Sequence, residues 1–341
     1  MERNGKNMQS KMTAGKPGRQ VAGALKRAAS HRETTLVLMI ALMFLVIPFF
    51  KPTFATQQNI ISTLMSVATK GIVGISITII LITGGLDLSV GAMVALVCAV
   101  FGKVYLGTGS LWVGTLAALC AGLVGGAANG LLVTRCRLSP FIATLASMGI
   151  CRGITYVLTK GTPIKLTVLP PEYRVLGSGK LFDTVPYVVI LFLLLTVVAH
   201  VLMLKSRVLR LNVYTGSNEK AARFSGVKTK KVIFLSYVVI GFFCWMAAQM
   251  SVARFMTASP TYGVGWETEL IAAAVIGGAT LTGGEGSIIG TALGLILLGF
   301  VNSAIVIFGV SVYWQDLISN CILLLAVLLD VIIEGKKRKK V

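Results

Sequence analysis

Apolar residues gather in ten long runs, at approximately 36–50, 60–84, 88–106, 111–134, 140–158, 185–204, 232–255, 267–283, 286–309 and 313–333. Short polar stretches separate them. About 20 apolar residues carry an α-helix across the hydrocarbon core of a bilayer, and most of these runs approach that length. The pattern predicts an all-α, polytopic membrane protein with about ten transmembrane helices. The first run is short, and Lys70 interrupts the second. Composition points the same way. The chain is 55% hydrophobic and 13% charged, whereas about a quarter of the residues in soluble domains are charged.

Charge orients the helices. Of 32 Lys and Arg, eight lie in residues 1–35, two are Arg135 and Arg137, eight lie in 205–231 and five in the tail 336-KKRKK-340. These four patches fall between or beside apolar runs, as the positive-inside rule requires of cytoplasmic segments. Starting from a cytoplasmic N-terminus, one assignment puts every patch inside, the C-terminus inside, and the long loop 159–184 outside. The net charge of +20 therefore marks membrane topology. Nucleic-acid binding is not expected, because no folded basic domain presents a groove-reading surface. The chain divides into a basic, disordered N-terminus (1–35), a transmembrane domain (36–334) with a cytoplasmic loop at 205–231, and a basic tail (335–341). Some 35 polar residues precede the first run, far more than a signal peptide carries, so 36–50 reads as a retained helix.

The six cysteines stand singly in apolar segments, with no paired spacing for a metal or a disulfide, and read as packing residues. His31 and His200 make no constellation. Gly122, Gly126 and Gly130 stand four apart, as do Gly286, Gly290 and Gly294. Such small-residue faces let helices approach closely in lipid, within the bundle or in a dimer.

In 81-LITGGLDLSVGAM-93 an aspartate stands between two apolar runs. Gly84 and Gly85 suit a helix C-terminus. Asp87, with Ser89 two residues on, stands where the next helix opens, so its carboxylate can cap free N–H groups at the positive end of the dipole. Two other readings stand beside this one: a polar group lining a transport pathway, and a partner for Arg152, the other ionisable residue deep in an apolar run. Charges at such depth pair or mark function. Asn129 can bridge helices or contact a ligand. The run 82-ITGGLDLSVGAMVAL-96 is echoed by 281-LTGGEGSIIGTALGL-295, as a weak repeat or as a shared helix-turn-helix solution.

The loop 214-YTGSNEKAARFSGVKTKK-231 predicts a short helix. Ser217 or Asn218 caps it, Glu219 favours its first turn, Ala221 and Ala222 propagate it, and Gly226 ends it. About two turns of helix are marginal in water alone. Something must hold them, either anionic lipid or a groove on a cytoplasmic partner.

The stretches 83-TGGLDLSVGAMVAL-96, 129-NGLLV-133, 140-PFIATLASMGICRGITYVLTKGTPI-164, 216-GSNEKAARFSGVKTKKV-232 and 274-AVIGGATLTGGEGSIIGTALG-294 occur in order over most of the chain after residue 55. Together they resemble the permease subunit of sugar-type ABC importers, the ribose, galactose, xylose and arabinose group with its autoinducer-2 relatives. That resemblance implies a helical permease of the bacterial cytoplasmic membrane that forms a dimer, most simply with a second copy of itself. It also implies a cytoplasmic ABC ATPase and an extracytoplasmic sugar-binding protein as partners. By the same similarity, Asn218–Gly226 is the coupling segment that the ATPase grips. The departures are Leu86 where isoleucine is commoner, the long basic N-terminus, and Lys70. No G-x-x-x-x-G-K-[ST] run occurs, so ATP and magnesium would be used by the partner and no cofactor by this chain. The expected function is translocation of a monosaccharide. The alternative is an ion-coupled secondary transporter with Asp87 as its coupling site.

Overall fold

The computed structural model describes residues 32–311 continuously, with isolated positions between 314 and 328. The apolar run at 313–333 is outside the described residues apart from those positions. So are the basic stretch up to residue 31 and the tail 335–341.

Nine of the apolar runs fall within the described residues, and eight fold as helices long and apolar enough to cross a membrane. They are α1 (Arg32–Phe50), α2 (Gln57–Ile82), α3 (Val90–Thr108), α4 (Leu111–Thr134), α5 (Pro140–Thr159), α7 (Tyr187–Lys205), α10 (Thr229–Phe255) and α12 (Ile288–Ile307). Shorter helices lie between them: α6 (Pro171–Ser178), α8 (Arg207–Ser217), α9 (Glu219–Phe224) and α11 (Trp266–Ile276). Local chemistry sets many of the starts. Ser110, Ser139, Ser206 and Ser287 each accept an N–H of the first turn, and Pro140 stands at the first position of α5, where its missing N–H costs nothing. Inside the spans, threonine hydroxyls donate back to carbonyls four residues earlier, as at Thr78, Thr155 and Thr196. Each polar group is thereby satisfied where water is scarce.

The eighth predicted run, 267–283, departs from expectation. Its helix has 11 residues, about 16 Å of rise, roughly half the hydrocarbon thickness. Hydropathy had joined a half-helix to the apolar turn that follows it. A Cβ added to Gly277 would collide with the backbone of Gly290, so the chain turns there, pressed against α12.

The core surrounds α2, which is buried over most of its length and packs on α10, α12, α7 and α11. The rim helices α1, α5 and α7 turn many of their apolar side chains outward, among them Phe49 (82% exposed) and Val157 (79%), as a lipid-facing surface does. Both small-residue faces are used inside the subunit. Gly122 and Gly126 press on the backbone of α10 at Gly241 and Tyr237, while Gly290 and Gly294 press on Gly277 and Ala273.

The two ends of the bundle are distinct. At one end Arg137, Arg223 and Lys230 converge around a cleft of about 560 Å³ with Thr83, Gly84 and Glu219, so two basic patches far apart in sequence share one face. At the other end the outer loops meet. Strand β1 (Ile164–Lys165) pairs antiparallel with β4 (Thr257–Ala258), and β2 (Lys180–Leu181) with β3 (Val185–Pro186).

Candidate transport and coupling sites

At the basic end, Asn218 breaks the chain between α8 and α9, and its Oδ1 accepts the N–H of Ala221 at 2.9 Å. Ser217 closes α8, its hydroxyl donating to the Val213 carbonyl at 2.8 Å. Glu219 accepts from the Thr229 hydroxyl at 3.1 Å, which ties α9 to the start of α10. Ala222 is buried beneath the short helix, Ala221 is exposed, and Phe224 is 92% exposed. The Val227 amide reaches back to Ala222 and the Gly226 amide to Arg223, with Gly226 at φ +86°, a Schellman closure that suits glycine. The sequence reading missed α8, whose polar and apolar residues alternate too closely to register as a span. It is fastened to α10 by the Ser236 hydroxyl, which donates to Asn212 Oδ1 at 3.0 Å.

This unit sits on both Thr-Gly-Gly turns. The Gly84 and Gly85 amides bond back to Leu81 and Ile80 at 2.8 and 3.0 Å, with Gly84 at φ +79°, and so close α2. In the echoed turn the Gly284 amide donates to the Ile82 carbonyl at 2.8 Å. Gly216 packs on Ile82, and Gly284 on Ser217. The two similar stretches are thus neighbours in space, joined beneath the α8–α9 elbow.

Beyond Gly85 the chain turns inward. The Tyr237 hydroxyl donates to the Leu86 carbonyl at 2.9 Å. Asp87, fully buried, accepts the Ser89 N–H at 2.7 Å and the Ser89 hydroxyl at 2.6 Å on Oδ1, and the Asn129 amide at 3.2 Å on Oδ2. Asn129 also donates to Ser89 Oγ at 2.9 Å. The carboxylate thus takes a free N–H just ahead of α3 and, in addition, the amide of a second helix. The cap position of α3 is Ser89, whose own side chain makes no capping bond, and Asp87 stands two residues earlier, holding Ser89 in place for Asn129. Asn129 Oδ1 is buried with no partner among the described residues.

Arg152 does not meet Asp87. Its guanidinium donates to the carbonyls of Pro260 and Tyr262 at 2.5 and 2.8 Å, bracing a loop that no sequence pattern had singled out. That loop runs back into the bundle after β4, and Gly263 lies against Gly91 in the first turn of α3. Cys244, midway along α10, contacts the Val90 carbonyl through its thiol at 3.7 Å, so α3 begins near mid-depth. The half-helix α11 begins beside it, with Glu267 and Glu269 in its first turn, where acidic residues offset the positive end of the dipole. Two helices therefore open at mid-depth, one entered from each side. Broken helices of this kind occur at the binding sites of transporters. Lys70 donates to Glu269 Oε2 at 2.5 Å, a pair the sequence reading had missed. Its signal was present: opposite charges in two apolar runs each need a partner. Among the described residues no cluster of His, Cys, Asp and Glu has metal-holding geometry.

Over residues 59–327 the chain matches the family described as the branched-chain amino acid transport system / permease component. It is 36% identical to the ribose import permease protein RbsC of Bacillus subtilis, over 86% of this chain and 91% of that one. With the protein of the same name from Escherichia coli it shares 35% identity, over 87% and 93% of the two chains. The L-arabinose ABC transporter permease protein AraH of Azospirillum brasilense is 29% identical over 95% of both chains. No solved structure matches the chain.

Proposed function

Since the chain belongs to this permease-component family, we propose that it is the membrane-spanning subunit of an ATP-driven importer for a monosaccharide, ribose or a related small sugar. It is a multi-pass protein of the inner membrane. The single observation that carries the coupling assignment is the α8–α9 elbow. A short helix capped by Asn218 and closed by Gly226 stands out from the basic end with Phe224 in water, while its base rests on the turns that end α2 and follow α11.

In this reading a cytoplasmic ABC ATPase grips α9 and supplies ATP and magnesium chemistry, while this chain hydrolyses nothing. An extracytoplasmic binding protein delivers the sugar at the end that carries the β1–β4 ladder. A second copy of the permease completes the channel, and lipid surrounds the pair. Closure of the ATPases pushes α9, and the push reaches the mid-depth breaks through Gly216, Gly84 and Gly283. Gly84, Gly85, Asp87, Ser89 and Asn129 shape the inner break, and Arg152 steadies the outer one. The names of the ribose and arabinose permeases support the sugar class. An ion-coupled reading through Asp87 is weaker, because both carboxylate oxygens already accept internal donors.

Co-purification from detergent-solubilised native membranes tests the proposal, followed by reconstitution and D-ribose uptake. Recovery of an ATPase with the wild-type chain and its loss with Ala222→Arg is the expected result. A chain that purifies alone and takes up sugar only with an ion gradient overturns it.

A further inference from the structure

Among the described spans α2 is the most enclosed, yet its outer half carries a polar stripe. Asn59, Ser62, Ser66 and Lys70 follow one another at helical spacing on one face. Ser62 and Ser66 are exposed and Lys70 is part-exposed, while most of α2 beyond Val67 is buried. Across from the stripe runs α12, whose Ser303 hydroxyl donates to Asn59 Oδ1 at 2.8 Å. Between them lies a cleft of about 330 Å³, lined also by Glu269. Its floor is the Lys70–Glu269 pair, whose side chains keep 21% and 15% exposure. Thirteen residues separate Gln57 from Lys70, so the floor lies about 20 Å below the outer end of α2.

A part-exposed ion pair at that depth faces water or another polar group, because hydrocarbon penalises it heavily. Serines one and two turns above continue the same wet surface toward the outside. The lining is rich in hydroxyl and amide groups, and its two charges cancel. An ionic ligand gains little there from net charge. A neutral solute carrying several hydroxyls can donate to Glu269, accept from Lys70 and exchange bonds with the serines. The volume lies at the small end of ligand pockets, which run from about 300 to 1,000 Å³, and admits a solute of monosaccharide size.

We infer that the cleft between α2 and α12 is a binding vestibule, entered from the outer side, for a small neutral polyhydroxylated solute, with Lys70 and Glu269 as its floor. The solute class rests on the sugar-import reading. The site itself lies apart from the Asp87–Asn129 network and from the Arg152 brace. In this arrangement a sugar released at the outer face is held beside the first turn of α11, next to the two mid-depth helix starts, before the bundle changes state.

The test is protection from a membrane-impermeant methanethiosulfonate reagent applied from outside to cells expressing the full transporter. Ser66→Cys is compared with the parent chain, whose own exposed cysteines, Cys120, Cys136 and Cys321, set the background. Ser62→Cys, one turn nearer the mouth, is the second variant. Both changes are small, and D-ribose uptake before labelling reports that each variant is folded and assembled. The expected result is labelling above background at both positions, slowed severalfold by millimolar D-ribose. No labelling at either position, or labelling that D-ribose leaves unchanged in a transporter that still imports it, overturns the vestibule alone. If the wild-type transporter imports no sugar, the import reading falls, and the solute assignment falls with it.

Discussion

The amide of Gly284 donates to the carbonyl of Ile82 at 2.8 Å. This one bond joins the two Thr-Gly-Gly turns, 199 positions apart in sequence, directly beneath the α8–α9 elbow. A push on that elbow therefore meets both broken segments together.

Disturbing the elbow should separate assembly from insertion. Gly226 sits at φ +86°, whereas proline fixes φ near −65°, so Gly226→Pro destroys the end of α9. Ala222 is buried, and Ala222→Arg forces a long charged side chain beneath the helix. Both variants should reach the membrane normally and lose uptake; normal uptake in either would sink the coupling assignment. Phe224→Ser should change the stability of the lone subunit by no more than the roughly ±0.5 kcal/mol usual for surface changes, while weakening ATPase recovery.

Asp87→Asn should retain most transport. The new amide would face the Asn129 amide donor group, but Asn129 Oδ1 has no partner among the described residues. A flip of the Asn129 amide lets that oxygen accept from the new side chain, and the Ser89 hydroxyl then turns its one hydrogen from residue 87 to Asn129 while the Ser89 N–H still bonds residue 87. Asn129→Leu has no such remedy and strands Asp87 Oδ2, at a cost of about 1–3 kcal/mol for a buried unsatisfied group. Uptake rates beside thermal unfolding in detergent distinguish the two, and loss of transport by a well-folded Asp87→Asn protein would instead assign the carboxylate a direct part in transport.

Arg152→Ala removes two charge-assisted bonds to the 260–262 backbone, each worth about 1.5–3 kcal/mol when the donor is charged. The loop ahead of α11 should become open to protease from the outer side. Arg152→Lys, with a single ammonium in place of the planar fork, should fall between wild type and alanine. Equal protease resistance in all three proteins would show that the brace holds nothing.

Close packing gives a paired test. At Gly126 an added Cβ collides with the Tyr237 carbonyl, whereas at Gly153 it meets nothing within 4 Å. Gly126→Val should cost at least the roughly 1–3 kcal/mol typical of overpacking. Gly153→Ala should be neutral or stabilise by up to about 1 kcal/mol, the helix advantage of alanine over glycine. Unfolding midpoints of the purified proteins measure both.

Much of this fold is legible in the sequence because lipid rewards long uninterrupted patterns. The spans at 111–134 and 140–158 match their helices to within one residue. The half-helix α11 was hidden by the apolar residues that run on past its end, although Gly277 and Gly278, the latter at φ +106°, close it. The Lys70–Glu269 pair spans 199 positions, beyond the reach of any periodicity. Arg152 finds carbonyl oxygens, which every residue possesses, so its sequence announced a need without naming the partner. At Asp87 the sequence placed the carboxylate where α3 opens, and it does accept the Ser89 N–H there, but the bond to Asn129 on a distant helix has no local signature.

Helix α10 runs unbroken for 27 residues, about 40 Å. At its inner end it is tied to α9 through Thr229 and Glu219, and at its outer end it leads into β4, whose ladder with β1 holds the external loops. One rod therefore works as a lever across the whole membrane. A tilt of about 5° carries its far end some 3.5 Å over that length, enough to part or seat the two-residue ladder. The short helix α9 and the β1–β4 ladder are therefore the two ends of one rigid arm, linked by backbone rather than by a chain of side-chain contacts.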